Sequence, residues 1–249
     1  MLRHLLGFAL LVSPSFQLLA QPCTPPTDSL ARTVRTLGDV FWQQQLRFPR
    51  VRLALASTGL VVADRLRVCG LAPQRLELFL RVIKTHRELE VWARNQEDSC
   101  FELLRSYPLA ATSGRLGPKR QANDYQVPEG FYEIDRFNPQ IHYHLSLGLN
   151  YPNADDRDLG EPNPGGDVFI HGGEVTVGCL PITDISIEEV YLLALMAKAA
   201  GQVTIPVHIF PFPVTDTELA KRAASPHQAF WRGLMPGYAH FEKHHELAR

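Results

Sequence analysis

In the stretch "DVFIHGGEVTVGCLPITD", residues 167 to 184, His171 stands eight residues before Cys179, with glycine after the first and before the second. A thiol attacks as its thiolate, and an imidazole within hydrogen-bond reach can take its proton and hold the ion pair. "VFIHG" reads as a short buried strand, and "ITDISIEEVYLLALMAKAAG" as a helix, so Cys179 falls just before a helix start whose positive potential favours a thiolate. Gly178 permits backbone geometry closed to other residues, and N–H groups there can face a developing oxyanion. Together these parts describe acyl transfer. On spacing alone, a buried cysteine near a structural histidine is the simpler account of the pair. A papain-like protease is disfavoured, because there the cysteine comes first and the separation is long.

Other residues invite weaker readings. His142 and His144 would share one face of a strand and could serve a metal, but no third ligand is apparent, and a half-exposed polar face explains them. His240, His244 and His245 have helical spacing, for which a solvated terminal helix is the simpler account. No metal or organic cofactor is expected. The net charge is −1, with 25 basic and 26 acidic residues, and neither zinc-finger spacing nor an RNP-like stretch occurs, so nucleic acid is not an expected partner.

The elements that must position His171 and Cys179 follow from periodicity. "LELFLRVIKTHRELEVWA" reads as two strands about a turn near Thr85-His86-Arg87, and "CFELLRSYPLA" as a third. A polar loop, "TSGRLGPKRQANDYQVPEG", precedes the strand "GFYEIDRF". In "HYHLSLGLNYP", Tyr143, Leu145, Leu147 and Leu149 alternate with His142, His144, Ser146 and Asn150, which predicts a half-buried strand. "NADDRDLGEPNPGGD" reads as a second long loop. After Cys179, Ser186 and Glu189 form a capping box and Gly201 supplies the helix stop. "VTIPVHIFPF" is a final strand whose prolines suit an edge or an end. A helix and Trp231, Tyr238 and Phe241 then fold back over the body. Upstream, Leu30, Val34, Leu37 and Phe41 share a helical face, and the stretch to about Pro73 is mixed. The expected fold is mostly β with flanking helices (α+β), a β-sandwich or barrel-like sheet with N- and C-terminal helical additions.

The first twenty residues read as an export signal: Arg3 and His4, the apolar run "LLGFALLV", then Ala20 as a cleavage-site residue. The run is too short and too soon interrupted for a stable membrane span, and proline before Cys23 makes a poor lipoprotein signal. The expected location is periplasmic. In an oxidising compartment Cys69 with Cys100, or Cys23 with either, are candidate bridges, and the sequence does not choose among them.

"IHGGEVTVGCLPITDISIEEVY" resembles the active-site segment of the YkuD-type L,D-transpeptidases: His171-Gly172 match its upstream half, and Thr176, Gly178 and Cys179 its Ser/Thr-x-Gly-Cys half. "GPKRQANDYQVPEGFYEI" is similar to the family's segment before the active site, and "LFLRVIKTHRELEVWA" to its opening hairpin. The likeness runs from about Leu76 to Phe212 and is greatest to the YafK-like branch of exported murein enzymes. It implies an export signal at 1–20, an N-terminal extension at 21–75, a catalytic domain at 76–215 and a helical tail at 216–249. It implies that Cys179 attacks a peptidoglycan stem-peptide bond near meso-diaminopimelate to give a thioester. His171 would be the base, the Gly172 carbonyl would orient it, and N–H groups near Gly178 would bind the oxyanion. Thr176, Tyr132, Lys119, Arg120 and His144 remain candidates for substrate contact. The partner implied is the peptidoglycan stem peptide, with a murein-linked lipoprotein as a further candidate. Two positions depart from the family pattern: Val177 replaces a histidine, and Leu180-Pro181 stand where an arginine is usual. The YafK-like branch shares the second departure, which leaves L,D-transpeptidase, amidase and a non-catalytic wall-binding protein all open.

Overall fold

The computed structural model describes residues 40–248. The export signal, Cys23 and the helical positions Leu30, Val34 and Leu37 lie outside the described residues. Helix α1, Val40–Gln45, is followed by α2, Pro49–Val68. Pro49 suits a first helical turn, where its missing N–H removes no bond and its fixed φ is already helical. Helix α2 buries Val51, Ala54, Thr58, Val62 and Leu66 along one face. This stretch reads as mixed in the sequence because its outer face also carries apolar residues, Leu53, Leu60, Val61 and Val68, which blur the helical period.

Eight strands follow: β1 Leu76–Ile83, β2 Glu88–Asn95, β3 Glu102–Pro108, β4 Gly130–Asn138, β5 Ser146–Leu149, β6 Phe169–His171, β7 Leu180–Pro181 and β8 Pro206–Phe210. They form one curled sheet in the order β3-β2-β1-β8-β4-β5-β6-β7. The mixed α+β, barrel-like class expected from the sequence holds. Strand β8 is central, parallel to β1 and antiparallel to β4, and not at an edge. Its prolines are harmless there: Pro206 opens the strand and Pro211 lies beyond its end, so no ladder N–H is lost within it.

Both faces of the sheet are covered. Helix α4, Asp184–Ala199, is apolar nearly all round, so it must be enclosed; it packs between the sheet and α2. Leu78, Leu80 and Val82 of β1 join that core. The alternate residue Phe79 faces Trp92 and Phe241, while Ile83 packs with Trp231, Leu234 and Tyr238. Phe241, Trp231, Leu234 and Tyr238 all belong to α6, Gln228–His244, which follows the short α5, Asp216–Ala220. The tail therefore folds back over the body as its aromatics predict.

Three local expectations are corrected. Residues 154–159 form α3, Ala154–Leu159, started by a reciprocal cap between Asn153 and Asp156, a signal present inside the supposed loop. Residues 142–145 form a turn ahead of a short β5 whose residues are buried on both faces, so His142 and His144 do not share a strand face. Helix α4 begins at Asp184 after Thr183, and Glu189 is no capping residue. It is buried and accepts from Arg65 of α2 at 2.5 Å and from Tyr107 of β3 at 2.8 Å.

Residues 109–129 have little regular structure and are held by side chains. Buried Glu129 accepts from Lys84 Nζ at 2.7 Å, from the Gly117 N–H at 2.7 Å and from Trp231 Nε1 at 2.8 Å. One carboxylate thus joins β1, the loop and α6. Burial pulls the Lys84 pKa down, and the Glu129 charge opposes it. Glu129→Ala would leave a buried ammonium without its countercharge, although it keeps backbone carbonyl partners, and two N–H donors without their acceptor. It is expected to cost about 3–5 kcal/mol, read as a lower urea midpoint, with Glu129→Gln costing less.

Candidate active site

Strands β6 and β7 run parallel, with Ile170 opposite Leu180 and His171 opposite Pro181. Cys179 leads into β7, so strand spacing places its backbone roughly 8 Å from that of His171. Gly178 makes the approach: its φ is +120°, and a Cβ there would lie 3.0 Å from the Gln126 carbonyl. Thr176 closes the loop locally, donating to the Cys179 carbonyl at 2.8 Å and accepting from the Gly178 N–H at 3.2 Å. The turn role of Thr176 is thus the one seen, and the Gly178 N–H is already engaged.

Cys179 is a free, half-exposed thiol. It lines a cleft of about 250 Å³ together with Lys119, Asn123, Tyr125, Asp167 and Val177. Its sulfur donates to the Asp167 carbonyl at 3.7 Å. Burial pushes the thiol pKa up, partly offset by a backbone bond from Phe169; the Asp167 charge adds to the rise and the Lys119 charge opposes it.

His171 is 2% exposed. Its Nδ1 lies 2.5 Å from the Gly172 carbonyl, so Nδ1 carries the proton and Nε2 is left with the lone pair. Burial pulls the imidazole pKa down, and the Gly172 bond opposes that. The Tyr143 ring packs on the imidazole, with centroids 4.8 Å apart. Gly172 is glycine by necessity, since a Cβ would meet Asp184 Oδ1 at 2.4 Å.

The ion pair expected from the sequence is not the resting arrangement. No hydrogen bond joins Cys179 to His171, the sulfur is engaged by Asp167, and burial favours the neutral form of both groups. Nor does Cys179 immediately precede the helix. Strand β7 intervenes, and the α4 start meets the histidine loop, where Asp184 Oδ1 accepts from the Gly173 N–H at 2.8 Å.

The remaining candidates separate. Lys119 lies in the cleft, but it is 6% exposed and its Nζ donates to Asp124 Oδ1 at 2.6 Å and to the Gln121 carbonyl at 2.9 Å. Arg120 points elsewhere, pairing with Asp156 at 3.0 Å and lying over Phe230. Tyr132 is buried, donating towards the Glu129 carbonyl and Asp156, and is a core residue away from the cleft. His144 meets Glu188 at 2.8 Å and takes no part in the cleft. Sequence reasoning passed over Asp167, which lies in the quoted stretch but contributes through its carbonyl, an atom every residue has. It also passed over Tyr125 and Asn123, which carry no motif. Cys69 and Cys100 are free and exposed on one groove remote in sequence from these residues. Among the described residues no group of three or more His, Cys, Asp or Glu could hold a metal, and no helix is long and apolar enough to cross a membrane.

No family model matches the chain. A search of curated proteins finds "Putative L,D-transpeptidase YafK" of Escherichia coli, strains K12 and O157:H7, each 34% identical over 168 residues, 67% of this chain and 67% of theirs. Among solved structures, the helical cell shape determining protein Pgp2 of Campylobacter jejuni is 22% identical with a TM-score of 0.44, covering 55% of this chain and 48% of that one. Bd1075 of Bdellovibrio bacteriovorus is 20% identical with a TM-score of 0.40, covering 67% of this chain and 71% of that one. L,D-transpeptidase 1 of Mycobacterium tuberculosis is 14% identical with a TM-score of 0.29, covering 54% of this chain and 62% of that one. The identity to the Escherichia coli proteins spans two thirds of both chains, and on it this chain belongs to the L,D-transpeptidase family.

Proposed function

We propose that this protein is an exported, periplasmic enzyme of peptidoglycan that works by acyl transfer through Cys179, acting on stem peptides at meso-diaminopimelate as an L,D-transpeptidase. The observation that carries the reading is a free thiol on a cleft with, on the adjacent strand, a buried imidazole whose Nδ1 is anchored on Gly172, which leaves Nε2 free to accept a proton.

The chemistry follows from the neutral resting pair. Substrate in the cleft draws the sulfur from the Asp167 carbonyl, and the S–H proton passes to His171 Nε2 as sulfur bonds to the peptide carbonyl carbon. The Gly178 N–H is taken by Thr176, and no loop hydrogen bond engages the Cys179 N–H, so the latter is the donor that meets the developing oxyanion. The carbon–nitrogen bond then breaks, His171 returns its proton to the leaving amine, and a thioester remains. An acceptor amine, deprotonated by His171, attacks the thioester, and the sulfur leaves with that proton. The domain limits proposed are 76–215 for this catalytic unit, with the segments before and after it as supports.

A second reading, hydrolysis, is favoured by one observation. The residues after the cysteine, where a substrate-binding arginine is usual in the family, are Leu180 and Pro181, both buried in β7. With water as acceptor, the same thioester would release a stem peptide or a murein-linked lipoprotein. A non-catalytic wall-binding role would leave Cys179 without chemistry. Incubating the protein with sacculi, with and without bound lipoprotein, and weighing the muropeptides separates the three. New links between diaminopimelate residues support transpeptidation, and freed peptides or lipoprotein support hydrolysis. No Cys179-dependent change would contradict both.

A further inference from the structure

The turn at residues 141–145 is fastened from two helices. Arg50, in the first turn of α2, donates through Nη1 to the Ile141 carbonyl and, at 2.8 Å, to the His144 carbonyl. From α4, Glu188 meets His144 Nε2 at 2.8 Å, and Ser57 of α2 donates to the other oxygen of the same carboxylate. His144 itself has φ +71°, a conformation a non-glycine residue keeps only where its surroundings impose it. Between the two carbonyls held by Arg50 sits Tyr143, 40% exposed, with its ring tilted 33° over the His171 imidazole. The turn also reaches the histidine's own backbone, since the Gly172 N–H donates to the Leu145 carbonyl at 3.2 Å.

We propose that Arg50 is a positioning residue for His171: by gripping the carbonyls on both sides of Tyr143, it holds the phenol ring against the imidazole and fixes the direction of the Nε2 lone pair. A planar guanidinium suits this task because it offers donors in a fixed fork, whereas an ammonium is a point charge. The segment before the sheet thereby becomes part of the catalytic apparatus and more than a brace. The effect on turnover rests on His171 being the base proposed above; the grip on the ring does not.

The titratable groups on the elements around the imidazole are His142, Tyr143 and His144 in the turn, Glu174 and Cys179 in the loop before β7, and Asp184, Glu188 and Glu189 on α4, and of these Tyr143 is in ring contact with it. Burial lowers the His171 pKa, with only the Gly172 bond opposing it. Tyr143 is part of that burial. Loosening it admits water, so the pKa must move up.

The test is a histidine-labelled NMR titration of the full chain as wild type, Arg50→Ala, Arg50→Lys and Tyr143→Ala, with kcat and KM measured on each. The expected result is that His171 titrates at higher pH in Arg50→Ala and in Tyr143→Ala, that kcat falls on the order of 10- to 100-fold with KM little changed, and that Arg50→Lys recovers part of both. An unmoved His171 titration with only a lower melting temperature would overturn the proposal. If Arg50→Ala does not fold, Tyr143→Ala decides on the same readouts. If His171→Ala leaves turnover intact, the proposed base is wrong, and the titration still judges the grip.

Discussion

Cys179→Ala is expected to lower Cys179-dependent turnover of stem peptides by about ten thousandfold or more, leaving melting temperature and peptide affinity nearly unchanged. The size of the effect follows from the mechanism: without sulfur no covalent intermediate forms, and the remaining donors can only bind. The stability expectation follows from the structure. The thiol is half-exposed and its polar contacts are to backbone only, the Asp167 carbonyl and a bond from Phe169, so its removal opens no core cavity. Turnover assays beside thermal unfolding check both halves. Serine at this position should be almost as poor as alanine, because a hydroxyl is far harder to ionise than a thiol.

His171→Ala is expected to lower kcat by about a hundred- to ten-thousandfold and to change the pH profile. In the proposed mechanism the thiol gives its proton to Nε2, so the reactive form needs His171 unprotonated. Its pKa is pulled below the ordinary 6.5 by burial, and the acidic limb of kcat/KM should therefore lie below pH 6.5 in the wild type. In His171→Ala that limb disappears. Alkylation of Cys179 should then wait for direct ionisation of a thiol that burial has pushed above its ordinary range, so labelling rises only in alkaline solution. Wild type labelled no faster than His171→Ala at neutral pH would contradict the assignment of the base.

The candidate residues His171 and Cys179 stood out through the likeness of their segment to a family's active-site motif, and the glycines beside them add a physical mark. Gly178 and Gly172 are required by close approaches to Gln126 and Asp184, and these are contacts that sequence spacing can register. The strands of the β1–β2 hairpin were legible as two strand-like runs about a polar turn, and Gly201 through its place at the end of an apolar helix. What escaped depends on distant partners. Helix α2 was obscured by apolar residues on its outer face, and α3 by a loop-like composition that concealed an Asn153–Asp156 cap. The central place of β8 could not be read from Pro206, since one proline at a strand start suits an edge and an interior equally. Lys119 and Arg120 are neighbours in sequence, yet one enters the cleft bound to Asp124 and the other turns away to Asp156. Tyr143 looked like one more apolar strand residue until the turn at 141–145 placed it on His171.

The most direct measurement is intact mass spectrometry of the protein mixed with a diaminopimelate-containing stem peptide and quenched in acid. The account predicts an adduct of the acyl fragment on Cys179, released by hydroxylamine and absent from Cys179→Ala. Turnover that persists in Cys179→Ala, or wild-type turnover in which the quenched protein never gains mass, would contradict it.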